Sequence, residues 1–195
     1  MKLAFDFDGT IANTNQMKSI LFEERHGIKL PGWQCDRTDA VPIVGLEAYE
    51  DVGNIVFERK STLETPPLED ALKYIPALAE KADIYLLTAR PQRWLDFAAE
   101  WLDKYDLTRY FERLLSSHIV DREWRPKLEI CEENNFELLL EDDPRHFRVN
   151  GFHQIKKVLI KDGCLELPDL SGDIHMVRNW REFYGWCERE VFKKF

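Results

Sequence analysis

Short apolar runs alternate with longer amphipathic stretches along this chain. The apolar runs, rich in β-forming residues, lie at residues 3–7, 84–87, 113–115, 136–140 and 157–160. Behind Pro91, apolar residues recur at helical spacing on one face, and Pro126 precedes a shorter helical pattern. Strands that alternate with helices predict an α/β fold, a Rossmann-like and mainly parallel sheet flanked by helices.

The connection after the first strand is too long for a simple crossover. Helical patterns cover residues 15–26 and 46–60, and the stretch between them is rich in turn residues. We therefore predict a small helical cap at residues 14–64, inserted into a core formed by residues 1–13 and 65–195. Ligands in such folds bind at the carboxyl ends of the strands, so the cap would stand over that edge.

Composition narrows the class of protein. The chain has 195 residues, 44% of them hydrophobic, which suits a globular core, and no apolar run approaches the roughly 18 residues that span a bilayer. We expect no membrane partner and no signal peptide. The four cysteines have no metal-ligand spacing, which favours free thiols in a reducing cytoplasm. A net charge of -9 argues against a stable nucleic-acid partner and leaves a small molecule as the expected partner.

The first predicted strand ends in two acids. In FDFDGT, residues 5–10, Asp6 and Asp8 lie on the same face of the extended chain, where two carboxylates repel each other unless a cation is near. An EF-hand loop counted from Asp6 would need glycine and glutamate where Ile11 and Met17 stand, so that type of calcium site is excluded.

The predicted strand at 136–140 also ends in acids. LLLEDDP, residues 138–144, supplies Glu141, Asp142 and Asp143, followed by a proline that prevents further strand pairing. Two acidic clusters at one sheet edge offer the hard oxygen ligands that Mg²⁺ prefers.

Two further strand ends favour an anion. LLTAR, residues 86–90, places Thr88 and Arg90 just before a helix whose free N–H groups attract negative charge. Lys127 stands in the first turn of a helix, where a cation opposes the helix dipole unless an anion lies nearby.

The motifs FDFDGT, LLTAR and LLLEDDP, with Lys127 between the last two, resemble the four motifs of the haloacid dehalogenase (HAD) superfamily, mostly Mg²⁺-dependent phosphohydrolases. The resemblance implies that Asp6 attacks phosphorus to form an aspartyl phosphate. Asp8 would protonate the leaving oxygen and then activate water. The ion-pumping members carry lysine at this second position and the dehalogenase branch lacks the second aspartate, so Asp8 favours hydrolysis of a phosphoester.

The resemblance also implies the ligand sets. The Mg²⁺ ligands would be Asp6, the main-chain carbonyl of Asp8, and Asp142, with Glu141 and Asp143 in or near the second shell. The phosphoryl oxygens would be held by Thr88, Ala89 and Lys127. Which of the three consecutive acids binds the metal directly stays open, because neighbouring side chains alternate in direction.

The cap, LLTARP and VRNWREF (residues 177–183) resemble the branch of 5'-nucleotidases and 5'(3')-deoxyribonucleotidases more narrowly. This implies a nucleoside monophosphate as the leading substrate. The cap aromatics Phe22, Trp33, Tyr49 and Phe57 could stack on a base, and Arg90 and Arg145 could steer the phosphate. Residues 160–173 match no pattern that we can place.

Other interpretations remain open from the sequence. The enzyme could be a polynucleotide 3'-phosphatase or a sugar-phosphate phosphatase, or the fold could serve as a binding or regulatory module with little turnover. Thr88 could be only a helix cap, Lys127 a surface lysine and Arg90 a structural ion-pair partner. The cap aromatics could be buried for packing alone.

Overall fold

The computed structural model describes residues 1–118, 124–149, 151–166 and 172–193. In these ranges the strands are β1 (Lys2–Phe5), β2 (Asp83–Thr88), β3 (Phe111–Ser116), β4 (Leu138–Glu141), β5 (Lys156–Ile160) and β6 (Ile174–Val177). The helices are α1 (Thr14–His26), α2 (Arg37–Val44), α3 (Leu46–Val56), α4 (Arg59–Glu64), α5 (Ala71–Ala79), α6 (Gln92–Lys104), α7 (Lys127–Glu133) and α8 (Trp180–Glu190). Each of these helices is too short or too polar to cross a lipid bilayer.

The strands form one parallel sheet in the order β3-β2-β1-β4-β5-β6. Helices connect β1 to β2, β2 to β3 and β3 to β4, and all five strand pairings are parallel, which confirms the predicted α/β fold with a parallel, Rossmann-like sheet. β1 lies between β2 and β4, so the residues that follow these three strands meet at one edge of the sheet. Pairing continues past β1, where the Asp6 N–H donates to the Leu140 carbonyl at 3.0 Å.

Both faces of the sheet are covered. Phe5 points to the face that carries α8, where its ring meets Trp180 and Phe183 edge-on at centroid distances of 5.5 and 5.7 Å. Ala4 points to the opposite face and packs in a second buried cluster with Leu128 of α7. Burial on both faces explains why the strands of this sheet read as nearly continuous apolar runs.

The segment between β1 and α5 is helical, as expected, but its helices differ from the prediction. The single helix predicted at 46–60 is wrong: α3 ends at Val56 and α4 begins at Arg59. The helix is broken at Glu58, whose backbone is extended, and Phe57 before it packs on Trp94 with ring centroids 5.2 Å apart. The stretch expected to contain only turns holds α2, with Pro42 inside it.

These helices have an apolar cluster of their own. Its buried members are Phe22, Leu30, Cys35, Ala40, Val52 and Val56. They come from α1, α2, α3 and the connection between α1 and α2, so the helices pack on each other in addition to contacting the strand ends.

Trp180 fixes the loop after β1 through its indole N–H, which donates to the Thr10 carbonyl at 2.8 Å. We predict that Trp180→Phe lowers the free energy of unfolding by roughly 2 to 4 kcal/mol, through the lost volume and the buried carbonyl left without its donor. Urea unfolding monitored by circular dichroism measures the loss.

Trp94→Phe is the matched control, because the buried Trp94 N–H has no partner among the described residues. It should cost less than half as much. Equal losses in the two variants would show that the hydrogen bond to Thr10 contributes nothing.

Candidate active site

Three carboxylates gather at the edge where β1 and β4 end. Asp6, Glu141 and Asp142 each offer an oxygen, and these oxygens lie within 4.8 Å of one another. The parallel register, with Phe5 opposite Leu140, places the two acidic strand ends side by side. All three side chains are buried, so the negative charge is not diluted by bulk water.

Lys127 supplies the nearest positive charge. It begins α7, is fully buried, and its Nζ donates to Asp6 Oδ1 at 2.7 Å and to Glu141 Oε1. A lysine in the first turn of a helix needs a nearby anion, and here Asp6 and Glu141 of the protein itself supply the negative charge. This contact fixes the orientation of the Asp6 carboxylate.

The three consecutive acids face different partners. Asp142 Oδ2 accepts from the Asn15 amide at 2.6 Å, which links it to α1. Asp143 instead accepts from the Thr38 hydroxyl at 2.5 Å and pairs with Arg145 at 3.0 Å. Of the three, Glu141 and Asp142 thus lie in the cluster with Asp6, whereas the Asp143 carboxylate is engaged elsewhere.

Gly9 makes room for this arrangement. Its φ of +70° lies in the left-handed region, and a Cβ at this position would stand 2.1 Å from Asp142 Oδ2. A side chain here would displace the carboxylate, so the glycine in FDFDGT is required sterically as well as conformationally.

Burial raises the pKa of each clustered carboxyl group. The pKa of Asp6 rises to about 6, with further contributions from the charges of Asp142 and Asp8, although Lys127 opposes the rise. The pKa values of Glu141 and Asp142 rise to about 7, also chiefly because of burial. Carboxylates that are held together against their own repulsion fit a hard divalent cation such as Mg²⁺.

Asp8 has a different environment from Asp6. Arg90 binds it through two hydrogen bonds, from Nε at 2.8 Å and from Nη2 at 2.7 Å, and the Thr14 hydroxyl donates a third at 2.8 Å. Burial acts to raise the pKa of Asp8, but Arg90 outweighs it and the pKa is lowered. Asp8 is therefore a carboxylate in this arrangement.

Thr88 and Ala89 line the same cavity as the two aspartates. The Thr88 hydroxyl is buried and accepts from the Arg90 N–H at 3.3 Å. Ser117, which the sequence did not single out, also lines this cavity, and its buried hydroxyl has no partner among the described residues. No motif marks Ser117, since it follows β3 without a distinctive neighbour.

The cavity has a volume of about 950 Å³ and an aromatic wall. Tyr49 lies on this wall, as do Phe57 and Trp94. Phe22 does not reach it and packs inside the helical cluster, and Trp33 lines a separate cavity of about 370 Å³. Of the four cap aromatics in the sequence prediction, the structure thus brings Tyr49 and Phe57 to the cavity of Asp6 and Asp8.

Lys18 on α1 is a charged residue of this wall that the sequence analysis missed. It is buried, and its Nζ contacts Asn15 Oδ1, the Cys35 carbonyl and the Tyr49 hydroxyl. Although burial opposes its charge, its pKa is raised by Tyr49 and by the carboxylates of Asp142 and Asp8. In the sequence Lys18 stands three residues after Asn15 on α1, and this spacing alone does not indicate that the lysine is buried at the site.

Comparison with known proteins gives a result by structure but not by sequence. No protein-family model matches the chain, and no curated protein matches it. Among solved structures, a Clostridium difficile protein provisionally assigned as a phosphatase is 17% identical with a TM-score of 0.58, covering 94% of this chain and 96% of that one. The alignments run over nearly the whole of both chains. The fold is that of the HAD hydrolases.

Two further solved structures support this assignment of the fold. YfnB of Bacillus subtilis, assigned to the HAD hydrolases and bound to magnesium, is 15% identical with a TM-score of 0.57, covering 96% of this chain and 98% of that one. The L-2-haloacid dehalogenase of Xanthobacter autotrophicus is 12% identical with a TM-score of 0.59, covering 97% and 98%. The HAD-like fold is thus shared by proteins of different chemistry, so the reaction has to be argued from the side chains.

The positions of the consecutive acids lead to a test of the metal site. We predict that Asp142→Asn weakens Mg²⁺ binding by more than about tenfold, because it removes an oxygen ligand from the cluster. Asp143→Asn removes the same charge one residue away and should weaken binding far less. Calorimetric titration with Mg²⁺ measures the affinity of both variants. A larger loss of affinity in Asp143→Asn would identify Asp143, and not Asp142, as the metal ligand.

Proposed function

We propose that this protein is a Mg²⁺-dependent phosphomonoester hydrolase that acts through an aspartyl phosphate on Asp6. One observation carries the proposal: a buried carboxylate held by Lys127 beside two further acids opens onto the same cavity as Asp8. Nucleophile, acid–base group and candidate metal ligands are thus gathered at one sheet edge, as phosphoryl transfer requires.

The first half of the reaction transfers the phosphoryl group. An oxygen of Asp6 forms a bond to phosphorus, the bond from phosphorus to the leaving oxygen breaks, and Asp8 gives that oxygen its proton. Lys127 keeps the carboxylate of Asp6 oriented, and Thr88 with the Ala89 backbone holds phosphoryl oxygens. Mg²⁺ bound by Asp6, Asp142 and the carbonyl of Asp8 would neutralise charge on the phosphoryl oxygens.

The second half restores the enzyme. Asp8, now a carboxylate, takes a proton from a water molecule whose oxygen attacks phosphorus, and the bond from phosphorus to Asp6 breaks. Phosphate leaves and Asp6 is again a carboxylate. The ion pair of Asp8 with Arg90 favours the ionised form that this step needs. For the first half we propose that the substrate phosphate draws Arg90 away, which lets Asp8 carry a proton.

For the substrate we propose a nucleoside monophosphate as the first candidate. A cavity of about 950 Å³ with Tyr49 and Trp94 on its wall is compatible with a base and a sugar. The division into a core at 1–13 and 65–195 and a cap at 14–64 is part of the proposal, since Tyr49 comes from the cap. The buried free cysteines are consistent with a cytoplasmic location.

The first test is phosphate release with Mg²⁺ and with EDTA. The compounds are nucleoside monophosphates, sugar phosphates, p-nitrophenyl phosphate and a 3'-phosphorylated oligonucleotide. We predict metal-dependent release that Asp6→Asn lowers by roughly 10³-fold or more, because the nucleophile is lost. Asp51→Asn, a surface acid that pairs with Arg25, is the control and should keep full activity.

The outcomes separate the candidate functions. Activity confined to the oligonucleotide would favour a polynucleotide 3'-phosphatase. Activity confined to sugar phosphates would favour a sugar-phosphate phosphatase. Metal-dependent binding without release from any compound would favour a binding module. Release that persists in Asp6→Asn would contradict the mechanism.

A second test isolates Asp8 with a leaving group that needs no proton. With p-nitrophenyl phosphate, we predict that Asp8→Asn gives a burst of one p-nitrophenol per enzyme, followed by turnover about 10² to 10⁴ times slower than wild type. The burst arises because the phosphoryl group is transferred, while water activation lacks its base. Stopped-flow absorbance measures it; slow release without a burst would mean that Asp8 is not needed specifically for the second half.

A further inference from the structure

Lys18 differs from the other buried cations of this protein. The described residues contain five buried lysine or arginine side chains, which are Lys18, Arg90, Lys127, Lys157 and Lys161. Four of them lie within 4 Å of a carboxylate oxygen. Lys18 does not: within the described part of the chain, its Nζ donates hydrogen bonds only to an amide oxygen, a main-chain carbonyl and a phenol, and lies over the Tyr49 and Phe57 rings.

The contacts that Lys18 does make are weak. Its three hydrogen bonds measure 3.2, 3.3 and 3.4 Å, whereas charge-assisted bonds are usually about 2.7 to 2.9 Å long. With 4% of its surface exposed, it has little water to replace them. A buried ammonium group with only long, neutral contacts is costly, and an incoming anion would remove that cost.

A second cation of the same cavity also has no carboxylate partner among the described residues. Arg37 is half-buried, and none of the described carboxylates lies within 4.0 Å of its guanidinium. Lys18 and Arg37 both contact the Tyr49 ring, with Nζ at 5.4 Å and Cζ at 5.6 Å from its centroid. All three residues line the cavity that also holds Asp6 and Asp8.

This pair of cations lies outside the carboxylate cluster. Asn15 lies between Lys18 and this cluster: its amide nitrogen donates to Asp142, and its amide oxygen accepts from Lys18. Lys18 therefore flanks the cluster on the side of α1 and shares its cavity. An anion there would be a group of the substrate other than the phosphoryl group attacked by Asp6.

We propose that Lys18 and Arg37 bind a second anionic group, a carboxylate or a phosphate, on the leaving group of a phosphomonoester substrate. This assignment rests on the proposed phosphatase function and narrows its substrate class. It ranks a nucleoside bisphosphate or a phosphorylated hydroxy acid above the matching ester with a single anionic group, and therefore above the simple nucleoside monophosphate named as the first candidate.

Matched substrate pairs test the assignment. 3-Phosphoglycerate and glycerol 3-phosphate differ by a carboxylate, and adenosine 3',5'-bisphosphate and adenosine 5'-monophosphate differ by a phosphate. We expect wild type to favour the more anionic member of at least one pair by roughly tenfold or more in kcat/KM. The pair that shows the preference identifies the group.

The variants assign the preference to residues. Lys18→Met should reduce kcat/KM for the more anionic member by roughly 10-fold to 100-fold more than for its partner, so that the ratio approaches one. Arg37→Gln, at a half-buried position that tolerates substitution better, should shift the ratio in the same direction. Lys60→Met, at an exposed lysine of α4, is the control and should keep the wild-type ratio.

The opposing outcomes are distinct. Equal losses for both members of a pair would place Lys18 on the transferred phosphoryl group or in a purely structural role, and would overturn the assignment. A wild type without any preference would overturn it as well, while leaving the phosphatase function intact.

Calorimetric binding of the same pairs separates the anion site from catalysis. If no compound is hydrolysed but the more anionic members bind more tightly in a manner that depends on Lys18, the proposed function fails and the anion site stands. Binding that ignores both charge and Lys18 would remove the site.

Discussion

The parallel pairing of β1 with β4 sets two acidic strand ends side by side in the protein interior, and the chemistry of this edge depends on that constraint. Asp6 and Glu141 would repel each other strongly at such a place without compensation. Lys127, fully buried and bonded to both, provides it from the first turn of α7. The sheet register, the lysine and the acids therefore form one electrostatic unit.

The helical segment is joined to this unit by polar contacts rather than by apolar packing alone. The pairs that cross from the helices to the strand ends include Thr14 with Asp8, Asn15 with Asp142, Thr38 with Asp143, Thr62 with Arg90, and Asp36 with Lys161. Asp36 and Lys161 form a buried ion pair, and the other pairs join a charged group to a neutral one, so breaking any of them without a replacement partner would be costly. The helical segment is thus held by the same strand ends that carry the candidate catalytic groups.

Much of the fold could be predicted from the sequence because strongly apolar strands end in recognisable residues. Asp6, Thr88 and Asp142 follow buried strands, and a parallel sheet brings such ends to one edge. β6 and α2 were missed for local reasons. In β6 His175 is exposed at the edge of the sheet, and in α2 Pro42 reads as a helix breaker although it is tolerated.

The finer contacts of the site depend on tertiary structure and had no sequence signal. Nothing in LLTAR indicates that Arg90 binds Asp8 through two hydrogen bonds, because residues 82 positions apart are joined only by the fold. Lys18 is in the same category: its helical period suggests a surface lysine, and only the packing of α1 against Tyr49 buries it. In both cases the environment of the side chain is set by a contact with a residue from a distant part of the sequence.

Trapping the covalent intermediate is the most direct test of the proposed aspartyl phosphate on Asp6. The protein is mixed with substrate carrying ³²P in its phosphoryl group, quenched in acid within milliseconds, digested and mapped. We predict a ³²P label on the peptide that contains Asp6. Hydroxylamine should remove this label, as expected for an acyl phosphate. Phosphate release without any labelled protein, or a label on another residue, would contradict it.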